Sequence, residues 1–272
     1  QWFKANAIEN DLIRADLRGL QIKGFDARNF FETKSTRNLH VILDHFELDI
    51  KRDKRLPDPP VKEKPTTLEG LIKLPEGLGI KTIDMKGGRL RYTETSEKTS
   101  ADGMVLLEGI AALVEFDTTR SFSHVRSMKA KARLYNAGNM DVHYATLDSS
   151  SFKLAVRLKE FDLTHLNQVV VPLQSLQIKS GYLIQYDLDV TADNDKAFGN
   201  ATITYKDLHL EIFKPTEPER KTLGTELLTL LADGIILKHS KKNALAPVEQ
   251  SRLKHKSIFN YWVKSAVHGG MG

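Results

Sequence analysis

The stretch YLIQYDLDV, Tyr182 to Val190, sets Tyr182, Ile184, Tyr186, Leu188 and Val190 at every second position, with Gln185, Asp187 and Asp189 between them. A period of two puts one set on one face of a strand and the other set on the opposite face, the signature of a half-buried sheet. Downstream, Ala201, Ile203 and Tyr205 continue the alternation. The phase then slips at Lys206-Asp207, and Leu208, Leu210 and Ile212 follow. A one-residue slip inside a long strand predicts a bulge or bend, because it would otherwise flip every later side chain to the wrong face. Upstream, Phe152, Leu154, Val156 and Leu158 alternate with Lys153, Ala155 and Arg157, and Met128, Ala130, Ala132 and Leu134 alternate with Lys129, Lys131 and Arg133. Further slips fall between Leu158 and Phe161, and at Asp44-His45 ahead of Phe46, Leu48 and Ile50.

Turn residues separate these runs at Gly87-Gly88, Asn136 to Asn139, Asp148 to Ser151 and Asp193 to Asp195. Gly87-Gly88 reads as a hairpin and the acidic Asp193 to Asp195 as a plain turn, since it lacks the glycine and terminal glutamate of a calcium loop. Helical spacing is confined to Thr66 to Leu74, to Thr222 to Leu237 with Leu223, Leu227, Leu230 and Leu231 on one face, and to Ser257 to Val267. Four prolines in RDKRLPDPPVKEKP, Arg52 to Pro65, predict an exposed crossing segment. The stretch IDMKGGRL (Ile83 to Leu90) is echoed by LQIKSGYL (Leu176 to Leu183) and more briefly by LQIKG at Leu20. The expected fold is mainly β: a long antiparallel, strongly curved sheet, as a groove or open sandwich, with a few short helices. Its expected parts are N-terminal strands over 1–52, the crossing segment 53–65, a meander over 66–214, and a C-terminal helix with a basic tail over 215–272.

With 272 residues, 40% hydrophobic and 28% charged, the chain is long enough to bury a core and is not of disordered composition. It begins at Gln1-Trp2 and carries no apolar run of membrane-spanning length, so we read it as part of a larger protein. The absence of cysteine excludes disulfides and thiolate chemistry. The nine histidines are scattered, with no helical pair spaced for zinc and no glycine-rich phosphate loop. Asp141, His143 and Ser149 make a triad only on paper. No catalytic residue, metal site or cofactor is expected. The net charge of +5 is local: Lys238, Lys241, Lys242, Arg252, Lys254, Lys256 and Lys264 face Glu249 alone, so the end of the chain carries +6 and residues 1–237 carry −1. A nucleic-acid binder would spread such charge over a folded face, so none is expected as partner. A basic end with aromatic residues suits anionic headgroups, and equally a solvated tail.

Three stretches together resemble the AsmA-like proteins of Gram-negative bacteria: FELDIKRDKRLPDPP (Phe46 to Pro60), LPEGLGIKTIDMKGGRLRYTE (Leu74 to Glu94) and KHKSIFNYWVKS (Lys254 to Ser265). The resemblance covers most of the chain, without the N-terminal membrane helix usual in that family. It implies a periplasmic β-rich region of a protein anchored in the inner membrane, similar to bridge-like lipid transfer proteins whose sheets form an apolar groove, and involved in lipid traffic to the outer membrane. The family has no agreed active-site residues, so none is carried over.

The expectation is therefore a non-enzymatic lipid-handling groove, with lipid or a membrane surface, and other envelope proteins, as partners. Groove candidates are Phe152, Leu154, Val156, Ile184, Tyr186, Leu188, Ile203 and Tyr205. Membrane-surface candidates are Lys238, Lys241, Lys242, Arg252, Lys254, Lys256, Trp262 and Lys264. Two alternatives stay open: a closed β-sandwich serving as a structural module of the envelope, and a carbohydrate-binding β domain.

Overall fold

A computed structural model describes residues 8–68, 77–117, 124–173, 176–212 and 240–271. Eleven strands form one sheet: β1 (Asp11–Lys23), β2 (Thr36–Asp53), β3 (Leu78–Met85), β4 (Gly88–Thr95), β5 (Asp102–Asp117), β6 (His124–Leu134), β7 (Gly138–Thr146), β8 (Phe152–Asp162), β9 (Leu176–Ala192), β10 (Lys196–Ile212) and β11 (Lys241–Ser251). Neighbours in sequence are neighbours in space from β5 to β11, each pair antiparallel. Strands β1 and β2 belong to this same sheet, and β11 closes it where a basic tail was expected.

The meander is broken once. Strands β3 and β4 both run parallel to β2, and both pair with β5 on the other side. Gly87-Gly88 is thus not a hairpin: the chain passes through it and carries on in the same direction. A parallel pair needs a long crossover, and the proline-rich run supplies part of it. Residues 57–65 are exposed, as four prolines predict, but the segment is held at both ends. The Glu9 N–H donates to the Pro57 carbonyl at 2.7 Å, and the Lys64 N–H donates to the Lys254 carbonyl at 2.8 Å. The second contact joins the segment after β2 to the loop after β11, so the sheet curls until its two ends are bridged.

The phase slips read in the sequence line up as a crease. Gly19 (φ +67) lies opposite Asp44, where β2 changes phase. The line continues through the β3–β4 break and Gly109 (φ +57), where the β5–β6 register shifts. Farther on, Glu160 (φ +54) aligns with Ile184, a residue of β9 that has no paired partner on β10, and with Asn243 (φ +47) in β11. Asp207 (φ +56) marks a second shift in β10, at the slip seen in the sequence. Each insertion resets the alternation so that apolar residues return to the inner face while the sheet bends. At Gly109 an added Cβ would meet open space, so only the backbone resists substitution. Gly109→Ala is therefore expected to lower the unfolding free energy by about 1 kcal/mol, read as a shift of the urea midpoint with unchanged slope.

Three short helices are described: α1 (Ala27–Thr33), α2 (Asn167–Leu173), which follows a 3₁₀ turn at Leu163–Leu166, and α3 (Ile258–Met271). α3 matches the expected third helix, and Ser257 caps it by accepting from the Asn260 N–H. α1 and α2 were not legible as helices. The expected helix over Thr222 to Leu237 lies outside the described residues, as does most of Thr66 to Leu74.

Candidate functional site

The site is the inner face of the sheet, and the cross-strand register lets it be read row by row. One row runs Ile22, Val41, Ile83, Val114, Met128, Tyr144, Leu154, Val190, Gly199, Val248, each residue paired with the next. The adjacent row runs Leu20, Leu43, Met85, Ala112, Ala130, Val142, Val156, Leu188, Ala201, Ala246. Ten strands contribute to each row and no polar side chain interrupts either. At about 4.8 Å between strands, such a row follows the curve for roughly 40 Å. Beyond the crease the face continues through Ala15, Leu48, Leu90, Leu107 and Leu134 on one side, and through Leu158, Tyr186 and Ile203 on the other. The outer rows are mixed: Lys23, His40, Thr82, Glu115 and Ser127 are one sample.

Three described parts of the chain cover this face, one of them Leu68 at the end of the crossing segment, which is buried and donates its N–H to the Tyr144 hydroxyl at 3.2 Å. α3 lies against β9, β10 and β11 and reaches the aromatic residues of β7 and β8, with Ile258 and Tyr261 buried. Trp262 packs on Tyr144 at 5.5 Å, and Tyr261 meets Phe152 edge-on at 6.1 Å. The Tyr186 hydroxyl donates to the Ala266 carbonyl at 2.6 Å, and burial pushes its pKa up. Gly269 allows the closest approach, since a Cβ there would stand 2.5 Å from that of Ala201. At the opposite end of the strands, the 3₁₀ turn and α2 pack on β9 and β5. There Tyr135, Phe161 and His165 stack at 5.8–6.3 Å. Between these covers, Met85, Met128, Val142, Val156, Leu158 and Ile203 are only half-buried.

The apolar rows end at a charged rim. Two residues beyond Ile13, Ile50 and Tyr92, the next row on the same face is Asp11, Arg52 and Glu94. Arg52 makes a two-pronged contact with Asp11 at 2.7 Å and lies 3.5 Å from Glu9. Burial opposes its charge, yet the paired carboxylates hold its pKa above the ordinary value. Tyr92 donates to Glu94 at 2.7 Å, and burial with that carboxylate pushes the phenol up. One oxygen each of Glu9 and Glu94 is buried without a partner.

The groove candidates divide cleanly. Phe152, Leu154, Val156, Tyr186, Leu188, Ile203 and Tyr205 all lie on the inner face, with Phe152, Leu154 and Leu188 sealed in the core and Val156 and Ile203 half-exposed. Ile184 does not belong with them. It is the inserted residue of the β9 bulge, where two residues oppose one, so it turns outward beside Gln185 and is 44% exposed. Tyr182 is likewise exposed, and Leu183 takes the buried position. Ile184 and Gln185 border a cleft of about 560 Å³, with Thr202, Thr204 and Asn243.

The basic candidates do not form one surface. Lys238 lies outside the described residues. Lys241 and Lys242 begin β11, whereas Arg252, Lys254 and Lys256 follow its end, a strand length of roughly 30 Å away. Arg252 is buried and donates to Thr66, Asn194 and the Lys64 carbonyl, clamping the crossing segment to the β9–β10 turn. Lys254 pairs with Asp195 at 2.7 Å, Lys264 is buried, and Trp262 packs into the inner face. Lys256 is partly buried, which lowers its pKa, helped by Lys54. Sequence reading also stopped short on the inner face: the contributions of β1 to β7 went unassigned, although Phe46, Leu48, Ile50 and Met128 already showed the alternation.

Comparison with protein-family models, with curated proteins and with solved structures finds no match. Among the described residues, no helix is long and apolar enough to cross a membrane. The class is therefore stated by the fold alone: a single curved, mainly antiparallel β-sheet with an apolar inner face.

Proposed function

We propose that this chain is a non-enzymatic lipid-handling module whose inner face holds acyl chains along the curve of the sheet. The observation that carries the reading is the pair of uninterrupted apolar rows, ten strands long, with a half-exposed stretch at their centre. The stretch of these rows left half-buried between the covers, through Met85, Met128, Val142 and Val156, is where an acyl chain would lie across the strands. Each buried methylene contributes about 0.8 kcal/mol, which gives useful affinity with no polar contact to the tail. With the resemblance to AsmA-like proteins, this reading extends to a periplasmic segment of an inner-membrane-anchored protein that guides lipid toward the outer membrane.

A second reading has one specific support. α3 fills part of the inner face with Ile258, Tyr261 and Trp262, as the core of a closed structural module would be filled. Native mass spectrometry of protein purified without detergent separates the two. Lipid adducts that survive gentle ionisation and appear in a solvent extract are expected; a clean apo mass from several expression conditions would favour the closed module.

A further inference from the structure

The two edges of the sheet are not alike. At β11, Pro247 has no N–H to offer another strand, Asn243 kinks the backbone at φ +47, and Lys241 and Lys242 add charge. These are the usual means of blunting an edge. At β1, all of its thirteen residues but Gly19 pair with β2, and among the described residues nothing pairs with its other side. Its apolar stripe is open to water: Ile13 and Leu17 are both 60% exposed and Leu20 61%. This stripe is the first member of the inner-face rows, so among the described residues the apolar face runs out to an open edge.

The sequence of β1 is complementary to itself in one antiparallel register. With Ala15 opposite Ala15 of a second copy, Ile13 stands opposite Leu17 and Arg14 opposite Asp16, each twice by symmetry. Opposed residues then have the same parity, so each pair presents its hydrogen-bonding groups, or turns them away, together. Ile13, Ala15 and Leu17 come to lie on the inner face and Arg14 and Asp16 on the outer. Among the described residues Arg14 has no hydrogen-bond partner and feels Asp16 of its own copy only through its charge, while Asp16 takes a two-pronged contact from Arg18 at 2.8–3.0 Å and stays 47% exposed to a cation from a second copy. We propose that two copies of this chain join edge to edge through β1, antiparallel about Ala15, so that their apolar faces become one. The proposal concerns the edge and stands whether or not the face holds lipid.

Sedimentation equilibrium of the full chain tests it, and a dimer is the expected result. Arg14→Asp and Asp16→Arg each place like charges opposite each other twice, and each is expected to weaken association roughly tenfold. The double variant restores the pairs with reversed sense and should recover the dimer, which neither misfolding nor nonspecific stickiness would do. The chain has no cysteine, so Ala15→Cys is expected to form a disulfide-linked dimer under mild oxidation, while Leu245→Cys, exposed on β11, is not. A monomer at all concentrations, a dimer indifferent to both charge reversals, or linking through Leu245→Cys and not Ala15→Cys would overturn the proposal and leave β1 to a strand of another chain.

Discussion

Ile203→Asp is expected to reduce co-purified lipid by roughly tenfold or more while the protein remains folded, and Ile184→Asp is expected to leave lipid unchanged. In the sequence these two isoleucines look equivalent, each on an alternating apolar stripe. In the structure Ile203 faces inward, paired with Tyr186 and Ala244 and half-buried, while Ile184 sits outward on the bulge. A carboxylate at 203 would put an unpaired charge against an acyl chain; at 184 it meets water. Leu188→Asp makes the contrast complete, since Leu188 is fully buried and a charge there should unfold the chain. Lipid extraction with quantitative mass spectrometry, together with far-UV circular dichroism on each variant, checks all three. Equal loss at 184 and 203, or lipid retained at 203, would sink the inner-face assignment.

Arg252→Ala is expected to lower the unfolding free energy by about 3 kcal/mol and to speed tryptic cleavage at Lys62 and Lys64. Arg252 is 6% exposed, and its guanidinium donates to three acceptors that belong to two separate parts of the chain, Lys64 and Thr66 in the crossing segment and Asn194 in the β9–β10 turn. Its removal breaks three contacts at once and opens a hole between the two segments, leaving the Thr66–Asn194 hydrogen bond as the one side-chain contact of this group, which is costlier than the loss of an exposed charge. Burial also depresses its pKa, so it is a cation held by its contacts and not one displayed to a membrane. Urea titration measures the stability. A change within about 0.5 kcal/mol is what a merely exposed basic residue would give, and that result would refute the clamp.

The alternation in β6, β8, β9 and β10 was legible because a half-buried strand writes its two faces directly into a period of two. The slips at Asp44, Leu158 to Phe161 and Lys206 were legible for the same reason: a bulge leaves a one-residue phase error wherever both sides of it must still face the core. The proline-rich crossing was legible because proline constrains its own backbone. Three readings failed where a local pattern has more than one spatial solution. Gly87-Gly88 suits a hairpin and an in-line break equally, and only the parallel pairing of both β3 and β4 with β2 chooses the break. Tyr182, Leu183 and Ile184 are all apolar, so the sequence could not say which of them the bulge would turn out, and register with β10 decides for Ile184. The basic residues after Lys238 are close in sequence but are divided between the two ends of β11 and the core.

The sequence by itself determined that the chain is a sheet protein of long strands, where three of those strands slip in phase, and which parity of most of them is apolar, because these follow from the alternation of side chains along a single strand. Only the tertiary structure decided that the slips align into one crease, that eleven strands stack their apolar parities into common rows, and that one edge is blunted while the other is left open. Those are properties of register between strands and of contacts between distant segments, such as that of Arg252 with Lys64, 188 residues apart, and no local pattern carries them.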